Sequence, residues 1–324
     1  MAELHSCPLP AAVDAGPHRH RLPQIAGILL LAAMAAGCDE QRSSMGRFDL
    51  AWGRRGISDG RFQKPRAMAI DDANRIYVVD MTARIQAFDP DGRWLRGWQT
   101  PDHRVGKPTG LSVTADGRIL VADTHYYRLL IYSPQGKLLQ TIGGTPGQAP
   151  GEFGLVTDAV EDSRGNLYIA EYGEYDRIQK FTPDGRFLLQ WGGHGSLPGQ
   201  FIRPQNMAVD AEDHIWVADA CNHRIQVFDS EGTLLKHWGT QGGAAGELYY
   251  PYDLIIAPDG SILVAEFGNH RIQRFTADGR SLGCWGTNGR QEGQLHNPWA
   301  LVRDREGRIH VLDTNNHRVQ RVKI

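Results

Sequence analysis

Six near-copies of one pattern, each about 47 residues long, fill most of this chain. Aligned on Arg-(Ile/Leu/Val)-(Gln/Leu), Arg84, Arg128, Arg177, Arg224, Arg271 and Arg318 fall at separations of 44, 49, 47, 47 and 47 residues. A period of this size, made of short β-rich runs and Gly turns, means a stacked or circular array in which each unit buries its faces against its neighbours.

The copy around Arg224 shows the unit most cleanly. Four runs of four to seven residues, rich in β-branched and aromatic residues, are bounded by Asp, Asn, Gly or Ser. They predict strands a (Met207 to Asp210), b (Ile215 to Asp219), c (Arg224 to Phe228) and d (Leu234 to Trp238). Pairs such as Asp91-Gly92, Asp184-Gly185 and Asp278-Gly279 sit between c and d, where tight hairpins need a positive φ. A four-stranded meander repeated radially is a propeller blade.

The two ends of the chain supply the closure. The sixth copy stops after strand c at Val322-Lys323-Ile324, and its missing strand stands at the other end as Phe48-Asp49-Leu50-Ala51-Trp52-Gly53. That segment matches Trp191-Gly192, Trp238-Gly239 and Trp285-Gly286. The expected fold is therefore all-β: a six-bladed β-propeller over residues 47–324, four antiparallel strands per blade, the last blade closed by the N-terminal strand. Such closure removes the open sheet edge.

These repeats resemble the NHL family. The matching elements are Phe-x-x-Pro before strand a, Val-Ala-Asp at the end of b, Asn-His-Arg-Ile-Gln opening c and Trp-Gly closing d, over roughly residues 46–324. The second blade departs from the pattern, with Thr100 to Lys107 in place of Gly-x-Phe, and the third carries Val156 where the others have Pro.

Residues 25–36 are uncharged and apolar and follow His18, Arg19, His20 and Arg21. Twelve residues are too few for a membrane-spanning helix and suit the core of a signal peptide, here residues 1–37. Ala35-Ala36-Gly37 before Cys38 resembles the lipobox of bacterial lipoproteins, which implies lipidation at Cys38 and a short tether over 38–46. The expected location is the cell envelope, on the extracytoplasmic side of a bacterial membrane such as a periplasmic face. Cys221 and Cys284 fall at poorly matched places for a disulfide, and no zinc-type cysteine spacing is present. A formal net charge of −2 gives no footprint for nucleic acid.

In a propeller the d–a and b–c loops share one face around the central channel, the usual place for a ligand. The pairs following the Pro position are Arg66-Ala67, Thr109-Gly110, Thr157-Asp158, Gln205-Asn206, Tyr252-Asp253 and Trp299-Ala300. Asp158, Asn206 and Asp253 thus stand at equivalent places near the axis, where oxygen ligands could hold Ca²⁺ or another divalent cation; the competing reading is strand capping or bound water. Aromatic residues gather on the same face: Tyr126, Tyr127, Tyr172, Tyr175, Tyr252, Phe267 and Trp299. With Gln205, the residues Tyr126, Tyr172, Tyr252 and Trp299 are the candidate ligand contacts.

Two further sets read as scaffold. His223, His270 and His317 each precede their Arg and are expected to hydrogen-bond within their own blade. Asp80, Asp123, Glu171, Asp219, Glu266 and Asp313 end each strand b opposite their Arg, six pairs that would lock six hairpins. The resemblance also extends to amidating lyases, which bind zinc through His near the Pro elements; no His follows Pro here. No nucleophile elbow or phosphate-cradling loop stands out. The expectation is a non-catalytic, membrane-anchored module holding a protein, peptide or glycan partner on its loop face. The alternative is a metal-dependent hydrolase or lyase, lactonase-like or amidating-lyase-like, at the channel mouth.

Overall fold

The structure, a computed structural model, describes residues 45–324. The expected signal segment, Cys38 and the expected tether as far as residue 44 lie outside the described residues.

Six four-stranded antiparallel sheets surround one axis, five of them following the chain order a, b, c, d. The sixth combines Pro298–Arg303, Ile309–Asp313 and Arg318–Lys323 with Arg47–Trp52 from the start of the chain. Trp52 lies opposite Val319 and Phe48 opposite Val322, so the N-terminal strand is the outer strand of the last blade.

Strand a begins earlier than its β-branched run suggests. In the fourth blade it spans Pro204–Val209, with Pro204 opposite Asp219 and Asn206 opposite Ala218. Gln205 is the extra residue of a β-bulge, and Asp210 falls into the following turn. Pro tolerates a place at the start of a strand and beside a bulge, where its missing N–H breaks no ladder bond. The same bulge falls between Pro65 and Ala67, Val156 and Asp158, Pro251 and Asp253, and within Pro298–Leu301. Each bulge re-aims one side chain toward the axis.

Packing is between blades. Val160, Tyr168 and Ile178 of the third blade bury against Met207, Ile215, Val217 and Phe228 of the fourth. The apolar residue before the Pro position plugs each blade gap: Phe62, Phe153, Phe201, Leu248 and Leu295 are fully buried. Their backbone adds a parallel bridge inside the d–a connector, such as His194 with Phe201 and Gln241 with Leu248. The second blade has no such bridge among the described residues, in keeping with its divergent connector.

All six acid–Arg pairs form, at 2.6 Å for Asp80–Arg84, 2.8 Å for Asp123–Arg128 and for Asp219–Arg224, 2.6 Å for Glu171–Arg177 and for Glu266–Arg271, and 2.7 Å for Asp313–Arg318. The acids are buried. Most of these arginines also donate to connector carbonyls; Arg224, for example, reaches Ser196, Leu197 and Gln200. Arg128 instead reaches the Asp102 carboxylate.

The histidines differ from expectation. His223 Nδ1 accepts from the Tyr250 amide, His270 Nδ1 from Asn297 and His317 Nδ1 from Lys64, each across the gap to the next blade. The cause is local backbone: the residue before the Arg is left-handed, with φ of 54°, 54° and 57° at the three histidines, which swings the ring outward. Asp176 does the same work for the Arg203 amide. The intended partner lies in the next blade, not in the histidine's own.

Candidate functional site at the channel mouth

The bulge residues, with Thr109 at the equivalent place in the second blade, form the upper ring of the channel, and the residues after them form a second ring just below. In the lower ring Asp158, Asn206 and Asp253 are linked in series. Asp158 Oδ2 accepts the Met207 amide at 2.9 Å and Asn206 Nδ2 at 3.2 Å. Asn206 Oδ1 accepts the Leu254 amide, and Asp253 Oδ2 the Leu301 amide. Each side chain thereby holds the inner strand of the following blade, which is the capping role weighed for these positions. One oxygen is left over: Asp158 Oδ1 is buried with no hydrogen-bond partner.

Burial drives the Asp158 carboxyl up to about 7, against the pull of the Met207 and Ala159 amides. It drives Asp253 well above the usual carboxylate range as well, and the neighbouring Asp158 charge adds to that. Gly110 makes the close approach possible. A Cβ there would lie 2.9 Å from Asp158 Oδ1 and 2.2 Å from the Thr157 carbonyl oxygen.

The upper ring carries Arg66, Thr109, Thr157, Gln205, Tyr252 and Trp299. Tyr252 stacks on Phe267 at 4.3 Å between ring centres and meets Trp299 edge-on at 4.9 Å. Arg66 lies over Trp299 at 5.5 Å, and Arg203 lies over Tyr172 at 4.9 Å and Tyr252 at 5.3 Å. Blades one and four face each other across the ring, so two guanidinium groups meet over the axis. The Arg66 cation is disfavoured first by burial and then by the Arg203 charge.

Of the sequence candidates, Tyr172, Gln205, Tyr252 and Trp299 come together here. Gln205 and Tyr252 are each 2 % exposed and Trp299 9 %, so they form the wall of the mouth, and Tyr172 its more open rim. Tyr126 and Tyr175 are placed apart, over the scaffold arginines Arg128 and Arg177 at 4.9 and 5.2 Å. Arg66 and Arg203 were missed as functional residues. The signal was there: they flank the Pro positions of opposite blades, but a pattern read blade by blade does not show pairs across the axis.

A second group of possible ligands, Asp210, Glu212 and His214, lies in the a–b turn of the fourth blade, on the far face. Asp210 is occupied there with the Glu212 and His214 amides and with Trp216 Nε1. Asp71 and Asp304 organise the equivalent turns in the same way.

The fold and the mouth define a class: a closed six-bladed β-propeller with an arginine–aromatic ring over a carboxylate-lined channel. Within that fold the chain carries NHL repeats. The NHL repeat matches residues 201–228, 248–275 and 295–322. NHL repeat-containing protein 3 of Mus musculus is 27 % identical over 198 residues, covering 55 % of this chain and 55 % of the relative. Peptidylglycine alpha-amidating monooxygenase of Rattus norvegicus is 35 % identical over 127 residues, 36 % of this chain and 13 % of that protein. The chain thus spans about half the length of the first relative and a small part of the second. Among solved structures, a streptogramin B lyase superposes with a TM-score of 0.62 at 17 % identity over 83 % of this chain and 95 % of the lyase. Virginiamycin B lyase from Staphylococcus aureus gives 0.57 at 13 % identity, over 80 % and 94 %. At such identity the likeness speaks to the fold.

Proposed function

We propose that the protein is a binding module, anchored through lipidated Cys38 on the extracytoplasmic side of a bacterial membrane, that holds a protein, peptide or glycan partner at the mouth of its channel. The observation that carries this reading is the mouth itself, where Arg66, Arg203, Tyr172, Tyr252 and Trp299 converge from five of the six blades. The groups that would otherwise suggest chemistry, the six acid–Arg pairs and three histidines, are engaged in holding blades together. Rigid aromatics beside guanidinium groups give contact area at little entropic cost, as at protein hot spots. Capture of partners by the detergent-extracted full chain tests it. Tyr172→Ala should reduce recovery at least several-fold with the melting temperature unchanged; full recovery rules out this face.

One observation supports a second reading, a metal-dependent hydrolase or lyase. Asp158 Oδ1 is an unpartnered, buried oxygen close to Asn206 and Asp253, and oxygen donors of this kind suit Ca²⁺. Asp158 and Asp253 would hold the ion, with Asn206 beside them; a bound cation polarises a carbonyl or lowers the pKa of a water. Near the mouth, burial pushes the His125 imidazole down, with the Lys107 and Arg66 charges adding to the effect, which favours its neutral form.

A further inference from the structure

We propose that the mouth is a carboxylate site: a ligand's carboxylate enters between Arg66, Gln205 Nε2 and Trp299 Nε1, while its apolar or aromatic body rests outside against Tyr172. This rests on the reading of the mouth as the binding site and names the chemistry it takes.

Three donors converge without acceptors. Gln205 Nε2 and Trp299 Nε1 are buried and make no hydrogen bond. No ion pair to Arg66 is found among the described residues; its guanidinium lies 5.5 Å from the Trp299 ring and is influenced by Tyr172, Tyr252 and Arg203. All three line the same void with Thr109 and Gly110. A buried donor left unpaired costs about 1–3 kcal/mol, so three at one place mark where a ligand acceptor belongs.

The orientation of the donors is fixed by the protein. Arg203 Nε donates to Gln205 Oε1 at 2.9 Å, which takes up the oxygen of that amide and leaves its NH₂ for another partner. Trp299 is clamped between Tyr252 and Phe267, the latter edge-on at 5.7 Å. The local field is positive. Arg66 feels Arg203, and His125 feels both Lys107 and Arg66. Asp253 and Asn206 of the second ring also line the void, and burial raises the Asp253 pKa well above the usual carboxylate range.

Size decides the kind of anion. The void measures about 10 Å³, room for about one water-sized group. One oxygen of a planar carboxylate can descend and meet Gln205 and Trp299 while the other faces the Arg66 fork. A tetrahedral phosphate is too bulky to do both. The body of the ligand must stay outside, where the Tyr172 ring is half-exposed and already carries Arg203 on one face.

The test is calorimetric titration of the purified full-length protein with phenylacetate, against phenylacetamide, phenyl phosphate and chloride, with Trp fluorescence recorded in parallel. Saturable binding of phenylacetate, on the order of 1 mM in affinity and at least tenfold tighter than each of the other three, supports the site. Arg66→Gln and Gln205→Glu should each weaken it at least tenfold, Arg66→Lys should keep part of it, and Arg186→Gln, on the opposite face, should leave it unchanged. Equal affinity for the amide, or unchanged affinity in a folded Arg66→Gln or Gln205→Glu variant, overturns the carboxylate assignment. No saturable phenylacetate binding overturns it too. In each case partner capture that still depends on Tyr172 would leave the binding function standing, whereas loss of that dependence would remove the function itself.

Discussion

The Lys64 amide donates to His317 Nδ1 at 3.0 Å, joining the first blade to the last across 253 residues of sequence. The bond needs a neutral imidazole, and burial lowers the pKa of His317, with the Arg55 and Lys64 charges adding to the effect. The folded-state pKa therefore lies below the unfolded value of about 6.5. Stability from this group is complete above about pH 6.5 and is lost as pH falls through the folded pKa. His317→Ala should cost about 1 kcal/mol at pH 8. Urea titrations at several pH values should show that gap closing as the pH drops toward 5.

Trp52 is the second element of closure. Its indole is 8 % exposed and packs at 4.8 Å from Phe88 and 5.9 Å from Phe62. Trp52→Ala should cost about 3–5 kcal/mol by lost burial and the cavity left behind. Gly92→Ala attacks the same contact from the other side. It puts a Cβ 2.3 Å from Trp52 Cγ at a φ of +82°, and should lower the midpoint in the same experiment.

The acid–Arg pairs give a sharper energetic test. Arg224→Met strands the buried Asp219 carboxylate and removes donors from three connector carbonyls, so it should cost about 3–5 kcal/mol. Combining it with Asp219→Leu removes the stranded charge. The double variant should therefore lose clearly less than the sum of the two single changes, by denaturant titration.

The cation reading stands or falls on a thermal shift. Ca²⁺ at a hundred times its dissociation constant should stabilise the protein by about 2.7 kcal/mol, and Asp158→Asn should abolish that gain. No shift with Ca²⁺ or another divalent ion eliminates the metal-dependent enzyme.

The blade count, the strand order and the pairing of Trp52 with Val319 were legible in the sequence, because each blade repeats the same turn and apolar code. So were the six acid–Arg pairs, since a residue repeated in every copy reports on the scaffold. What repeats hide is the relation between blades. The histidines look local in sequence because their Arg neighbour is local; a left-handed backbone at His223, His270 and His317 sends them to the next blade instead. Arg66 and Arg203 are set about 137 residues apart and meet only because blades one and four oppose each other. The burial of Tyr252 and Trp299 was equally hidden, since a bulge decides how far an aromatic side chain sinks into the axis.

The most direct test is site-specific photocrosslinking from the full-length protein in cells, with the reactive group placed at Tyr172 on the loop face or at Asp278 in a c–d turn opposite. The account predicts a discrete partner adduct from position 172 and none from 278. Adducts from 278 alone, or equal adducts from both, would contradict binding at the channel mouth.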